Sequence, residues 1–551
     1  MAETEQKTPE SATLNNDELP RAVTKEPDGS NHEASADEYP HGLRLFLLVG
    51  ASIMAVFLVS LDLAIIGIAL PKITDEFGGI YDVAWYGAVY FMTYGGMAAA
   101  WGKAFKYFDL KHAFITSILI FEIGSLICGL APNSKSLIAG RAIAGLGAAG
   151  MVVGGTSIVA FSAEPKFRPV LMGFVGLTYS LASVLGPLLG GALTEKVTWR
   201  WCFYINLPIG GLAAVVVIFL FHTPSAAEHI RAPLKERLLQ LDPVGVALAM
   251  GSIICFIQGL QYAGSSRPWN DSQVIGLLVG FGVISIVLAL WEIYQEGHAM
   301  LIPRLLKKRA VWSLFIYQFS FVGVLFILMY YLPVYFQVIR GAGPIESGVD
   351  SLPFVISVGI FAIIGGVVVS KTGHAAPPML AGATVATVGT GLIYSLDLDT
   401  PIKKWIGYQI LTGSAIAFSV QDALNIAQAN VEQEDIAAVV ACVYFFQTLG
   451  GAFSIAAGQA AFVNQLIAKL EFSAPTVDPA QVIATGATQL RDVFTPEELP
   501  GIIQAYLCGL RAVWAVGIGF SGVACLSTAI IPWSRLPTHK PVAASSKESA
   551  A

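Results

Sequence analysis

The chain has 551 residues, of which 55% are hydrophobic and only 13% charged, about half the ~25% of an ordinary soluble protein. So few charges cannot cover a water-facing surface of this length. There is no Gly-X-Y period and six cysteines are too sparse for a disulfide scaffold, so an integral membrane protein remains. The net charge of −6 sits in one tail, because residues 1–43 hold ten Asp/Glu and three Lys/Arg and the rest of the chain carries +1; the balance points to no nucleic-acid or acidic partner.

In chain order, residues 1–43 are polar, acidic and without apolar periodicity, which predicts a disordered tail. The first apolar run begins near Leu45, lacks a basic stretch before it and is too long for a signal-peptide core, so it reads as a retained span. Runs that can cross about 30 Å of hydrocarbon with about 20 residues recur fourteen times, at 45–70, 83–102, 112–131, 136–160, 168–193, 201–222, 243–263, 273–294, 310–336, 347–370, 376–396, 402–427, 435–462 and 505–532. Lipid offers no partner to backbone N–H and C=O groups, so these runs must be helices. With both termini inside, inner segments hold twenty of the 32 Lys/Arg and outer loops ten, the bias coming from Lys103/Lys106/Lys111, Arg231/Lys235/Arg237 and Arg304/Lys307/Lys308/Arg309. The expectation is an all-α membrane protein with cytoplasmic termini, ending in a tail at 533–551. All six cysteines lie in or beside apolar runs and are expected to be free thiols. Residues 463–504 form the longest outer loop, rich in proline, and read as a small cap, a mobile segment or a tolerated insertion. Asn270-Asp271-Ser272, on a short outer loop, makes Asn270 a glycosylation candidate.

No G-x-x-x-x-G-K-[ST] phosphate cradle occurs, which excludes nucleotide-driven pumping: the energy comes from an ion or solute gradient, or the chain does not pump. Gly145-Leu-Gly147-Ala-Ala-Gly150 spells a dinucleotide fingerprint, but it sits inside an apolar helix with no following acid, where small residues instead let helices approach closely. No metal-ligand pattern and no clustered nucleophile and base appears, so neither a metal nor an enzyme activity is expected.

An ionisable residue inside a span costs about 2.5–3.5 kcal/mol or more at the bilayer centre and wants a partner or a cavity. Asp62 lies eight residues from the outer end of span 1, about 12 Å deep, and Arg141 five residues below that of span 4, about 8 Å deep. At similar depth they can pair across a helix interface, either as a proton switch in which protonating Asp62 frees Arg141, or as a static bridge. Glu122, in mid-span 3, is a third proton-coupling candidate or else a protonated packing residue. Asp422, beside Gln421 in span 12, lines a cavity or reaches the inner interface, and Arg511 in span 14 snorkels to the outer one. Gly186-Pro187 with Gly190 and Gly191 marks a kink or a gating hinge in span 5.

Together these segments resemble the major facilitator superfamily, specifically its fourteen-span drug:proton antiporter group in the fungal branch. The matching residues are Leu61-Asp62 through Ala69-Leu70-Pro71, Gly102-Lys103 with Phe108 and Lys111, Arg141 through Gly147, and Gly186-Pro187 with Gly190-Gly191. Trp199-Arg200-Trp201 through Asn206-Leu-Pro208, Tyr330-Tyr331-Leu-Pro333 and Phe446-Gln447-Thr448-Leu-Gly450-Gly451 complete the ordered set, over residues 45–532. The resemblance implies two six-helix bundles at 44–222 and 310–532, with spans 7 and 8 inserted in a linker at 223–309. It implies alternating access about a site near the midplane and proton-coupled export, with the proton gradient in place of any cofactor. The cargo would be a hydrophobic secondary metabolite, toxin or drug, the partners that small molecule and the bilayer but no nucleic acid, and the working unit a monomer in the plasma membrane or, alternatively, the vacuolar membrane. Siderophore or amino-acid transport and a non-transporting sensor are the competing readings; the Gly186-Pro187 motif argues against uptake and the short C-terminal tail against a sensor. On this architecture Gln318, Gln409, Gln421, Asp422, Tyr444 and Gln447, with Phe445 and Phe446 nearby, either line a cavity suited to an uncharged organic molecule or glue helices together. Two departures matter. Lys106 stands where the loop 2–3 motif carries Asp, which argues against a carboxylate latch in that loop, and Ala64 and Gly67 make the span 1 face more apolar.

Overall fold

The computed structural model describes residues 42–77, 83–221, 223, 232–263, 267–295, 298–301, 303–485, 490–533 and 535–536. The expected disordered tail up to residue 41, and nearly all of the tail after 533, lie outside them. The apolar runs become helices: α1 (Gly42–Phe77), α2 (Val83–Tyr107), α3 (Leu110–Leu130), α4 (Ser134–Ser162), α5 (Arg168–Lys196), the short α6 (Trp201–Tyr204) and α7 (Asn206–Leu220). A small α8 (Leu234–Leu239) precedes α9 (Pro243–Tyr262) and α10 (Ser272–Gln295), and a single turn, α11 (Pro303–Leu306), leads into α12 (Arg309–Val334), α13 (Pro344–Thr372) and α14 (Ala376–Tyr394). The last are α15 (Ile402–Val420), α16 (Asp422–Ala429), α17 (Ile436–Ser473), the short α18 (Pro479–Ala484) and α19 (Leu490–Val493), and α20 (Leu499–Thr528). Among the described residues the only β feature is an isolated bridge between Ala263 and Arg267.

Local chemistry sets the helix ends. Asp109 and Asn133 cap α3 and α4 by accepting the backbone N–H of His112 at 3.0 Å and Ser136 at 2.9 Å. Asp242 caps α9 from a left-handed φ of 47°, with Pro243 as the first helical residue. Gly373 ends α13 at a φ of 71°, where a side chain would be strained. Pro333 removes a hydrogen bond inside α12, and that helix runs out through a π-helical turn at Tyr335–Ile339.

Among the described residues, thirteen helical segments are long and apolar enough to cross a membrane, one fewer than the fourteen runs read from the sequence. The one that falls short is α2, whose 25 residues suffice in length but are diluted by Gly, Tyr and Lys. Its surroundings account for that composition. It packs on α4, α17 and α9, so protein rather than lipid covers it. α10 is the opposite case: its most apolar stretch is only 6% buried, against 83% for α4.

Two boundaries and one side chain differ from the expectation. The run at 402–427 is two helices, parted at Gln421. α17 continues ten residues past 463, to Ser473, so the predicted 463–504 loop is shorter; what remains carries α18 and α19 and buries Val477, Val482, Leu490 and Phe494 as a small cap. Arg511 does more than reach outward: its Nη2 donates to Leu396 O at 3.2 Å and lies 3.5 Å from the Asp397 carboxylate, in the α14–α15 connection.

Helices α1–α7 pack mainly on one another, and so do α12–α17 with α20. The two sets meet where α5 crosses α13 and α2 crosses α17, while α9 touches α2 and α17 and carries α10 outside. The false dinucleotide motif belongs to this packing. A methyl built on Gly147 would sit 2.3 Å from the backbone nitrogen of Phe121 on α3, so only glycine permits that approach. No disulfide joins the cysteines.

Candidate functional site

One buried polar centre lies wholly within the first set. Arg141 of α4 is 0% exposed, and its Nη1 donates to Asp62 Oδ2 of α1. Arg141 Nε donates to Tyr86 O at 3.0 Å, and the guanidinium lies 4.1 Å from the centre of the Tyr90 ring, so one charge, one carbonyl and one π face hold the cation. Asn206, the first residue of α7, donates from Nδ2 to Asp62 Oδ1 at 3.5 Å and to Ser125 Oγ of α3 at 3.1 Å. Removing one member of such a buried pair leaves an uncompensated charge, a loss of about 3–5 kcal/mol.

Glu122 lies one turn before Ser125 on α3. Its carboxylate rests on Gly210 of α7, where a built methyl would come within 1.7 Å of Oε1. Neither carboxylate oxygen has a hydrogen-bond partner among the described residues. The structure therefore brings Asp62, Arg141 and Glu122 to neighbouring positions on α1, α4 and α3.

A second charged centre lies at the end of the helices that bears the α2–α3 turn, here called the basic end. Lys106, which replaces the family's Asp, reaches Asp435 Oδ1 at 2.6 Å, and Arg304 of α11 donates to Asp435 Oδ2. The Asp435 side chain is only 3% exposed. Lys308 Nζ donates to Asn430 O at 3.2 Å, and Lys103 Nζ to Gln240 Oε1 at 3.2 Å. The two sets are thus joined by an ion pair whose lysine comes from the last turn of α2 and whose acid comes from the N-cap of α17. Backbones close the same end. A methyl built on Gly102 would lie 2.3 Å from Ala441 Cβ of α17, and one on Gly366 of α13 would lie 2.2 Å from Pro169 O of α5.

Away from the basic end, Glu76 at the far end of α1 accepts Trp199 Nε1 at 2.6 Å and pairs with Arg200 Nη2 at 2.8 Å. The Arg200 hydrogen bond, then that of Trp199, holds the Glu76 carboxyl below its ordinary range. These contacts tie α1 to the α5–α6 turn.

Of the six predicted cavity residues, two are joined directly by a described hydrogen bond. Gln318 Nε2 donates to Gln447 Oε1 at 2.9 Å, joining α12 to α17 beside the stacked rings of Phe315 and Phe446, 4.7 Å apart. Gln409 is turned to Asp350 O of α13 at 3.0 Å. Gln421 marks the break between α15 and α16 and faces Gly176 of α5. Asp422 and Tyr444 are 2% and 1% exposed. A lateral cavity of about 430 Å³ between α9, α17 and α20 is lined by Leu260, Trp269, Asn464, Gln465 and alanines, and by none of these six. Nearby Asn270 is exposed on the α9–α10 connection. In α5 a methyl on Gly186 would meet Ala64 Cβ of α1 at 2.5 Å, while Gly191 has open space, and the helix continues through Pro187 and Gly190.

The profile described as Major Facilitator Superfamily matches residues 52–455. The chain belongs to the major facilitator superfamily. This facilitator is 55% identical to the MFS-type transporter grgE of a Penicillium species, over 92% of this chain and 90% of that one. It is 46% identical to the probable efflux pump gsfJ of Penicillium aethiopicum, over 92% of each chain, and 36% identical to the dehydrocurvularin exporter of Aspergillus terreus, over 96% and 94%. In fold it is similar to a double-tryptophan mutant of XylE, with a TM-score of 0.57 at 13% identity over 90% and 97% of the two chains. It is also similar to the human organic anion transporter MFSD10, with a TM-score of 0.55 at 13% identity over 88% and 99%. It is thus an all-helical membrane protein of the fungal efflux branch, and not an enzyme.

Several members of the facilitator's polar centres were not read as site residues from the sequence, although Asn206 stood in one of the family motifs. Ser125 and Asn206 are polar residues inside apolar runs, the same signal that exposed Asp62. Tyr90 hides among aromatics. Asp435 fell on the expected boundary of span 13, where an acid looks like an ordinary loop residue.

Proposed function

We propose that this facilitator exports a hydrophobic small organic molecule in exchange for protons, by alternating access, threading the bilayer fourteen times with α2 as the least apolar span. The observation that carries the reading is the Asp62–Arg141 pair, buried between α1 and α4 with Asn206 and Tyr90 around it. A proton on Asp62 would cancel the partner of a fully buried cation, leaving Arg141 with one carbonyl and one ring face. A low-dielectric site does not tolerate that state, so the helices must rearrange or the proton must leave. The cost of one microstate is thereby converted into motion. That relatives are described as an efflux pump and an exporter supports the direction of transport. The basic end faces the cytoplasm in this reading, with both termini there, so the state described is closed inward. A monomer in the plasma membrane suffices, and no cofactor is required.

The test uses yeast cells loaded with dehydrocurvularin, the compound named for one relative. Cells bearing the wild-type chain are expected to retain at least tenfold less than cells bearing Asp62→Asn, and a protonophore should abolish the difference. Efflux that survives both treatments would refute proton coupling through Asp62.

A further inference from the structure

The break in the α15–α16 run leaves an acid in a place that the proton-coupling centre does not use. Asp422 opens α16 immediately after Gln421 and is 2% exposed. Its Oδ1 accepts from Asn425 Nδ2 at 3.4 Å, and its Oδ2 has no partner among the described residues. Around it lie further buried polar atoms without partners, Asn425 Oδ1 and both ends of the Gln428 amide. α16 packs on α5, α12, α13, α14, α15 and α17. From these, the titratable group that feels the charge of Asp422 is Tyr317 of α12, whose hydroxyl donates to Ser419 Oγ at 3.0 Å; Cys525 of α20 lies beyond it. α5, α13, α14 and α17 bring no cation into contact with Asp422 among the described residues, and the lysine and arginine of the basic end are committed to Asp435 and Asn430. A carboxylate so buried, with no counter-charge among the described residues, fits its site best as the neutral acid.

Asp422 lies seven residues from the last residue of α16, about 10 Å along the helix from the basic end. The segment that follows, 430–435, is the one pinned by Lys308 at Asn430 and by Lys106 and Arg304 at Asp435. Releasing Asp435 therefore frees the segment that continues α16 at the basic end, on the side from which cytoplasmic water would reach Asp422. A discontinuous helix with a buried acid at its break is an arrangement by which transporters hold an ion.

We propose that Asp422 is a second proton-carrying group, in the C-terminal set, that exchanges its proton with the cytoplasm when the Asp435 latch opens. In that step the O–H bond of the carboxylic acid breaks, the proton passes to cytoplasmic water, and the carboxylate left behind is hydrated through the same opening; re-protonation reverses it. The proposal rests on the proton-coupled reading above.

Infrared spectroscopy of the purified full chain in lipid nanodiscs tests it without a transported compound. At neutral pH a protonated-carboxyl C=O band is expected that Asp422→Asn abolishes and Asp62→Asn leaves. Should Asp422→Asn not fold, Asp422→Glu makes the assignment by shifting the band. Breaking the latch with Asp435→Asn is expected to lower the midpoint of that band's pH titration by about one unit or more, a tenfold change in proton affinity. A band indifferent to substitution at 422 overturns the proposal, and so does a midpoint that the broken latch does not move, which would mark a static acid. The coupling reading fails separately, through protonophore-resistant efflux of dehydrocurvularin, without altering the titration.

Discussion

Asp62 and Asp422 are equally hidden, at 1% and 2% exposure, yet they keep opposite electrostatic company. Asp62 has a guanidinium on one oxygen and an amide on the other. Asp422 has one long hydrogen bond and an orphaned oxygen. Burial by itself does not say how an acid behaves; the partner decides whether its charge is stabilised or excluded. The N-terminal set thus holds a charged pair whose disruption is costly, and the C-terminal set an acid whose charging is costly. A machine that moves a proton between two such places has a downhill path only when its helices change their arrangement.

Truncation should separate the two most. Arg141→Ala strands Asp62 and is expected to destabilise the purified protein by about 3–5 kcal/mol. Asp422→Asn keeps the shape and a hydrogen-bonding end and should cost about 1 kcal/mol or less. Thermal unfolding of both variants in one detergent decides, and equal losses would erase the distinction between the sites.

A smaller effect probes what covers Asp422. Ala437 of α17 lies against Gly102 at the basic end and is 4% exposed. In an Ala437→Cys background, Asp435→Asn is expected to speed labelling by a water-soluble thiol reagent about tenfold, the ratio set by 1.4 kcal/mol of lost latch. An unchanged rate would mean that backbone packing alone closes this end.

The smallest effect concerns Glu76, the acid that is paired but lies at the surface, its side chain 44% exposed. Its carboxyl is held below the ordinary range, so its contribution is full above the unfolded value of about 4.3 and is lost as pH falls through the folded value. Below about pH 4 the wild-type chain should lose stability slightly more steeply than Glu76→Gln. Superimposed pH–stability curves would show that exposure leaves the bridge without effect.

Much of the fold was legible in the sequence because lipid imposes a one-dimensional rule: a run must be apolar and long enough. All fourteen runs became helical; the reading missed the break at Gln421 and the continuation of α17 to Ser473, and α2, which packs on other helices, is the least apolar of them. Asp62 and Arg141 were legible for the same reason, since an ion inside a greasy helix is conspicuous. The six cavity candidates were chosen for their polarity on spans 9, 12 and 13 of the family architecture, and neither says which way a helix is turned; Gln318 and Gln447 found each other, whereas Gln409 found a backbone carbonyl.

The sequence by itself determined that this chain is helical, lies in a membrane and carries a few charges worth hiding, because each of those properties is a sum over local residues. Only the tertiary structure decided that Lys106 answers an acid 329 positions away, that Asn206 completes the Asp62 site, and that Asp422 stands without a cation among the described residues. Pairing depends on distance and direction between helices, and no local pattern encodes either.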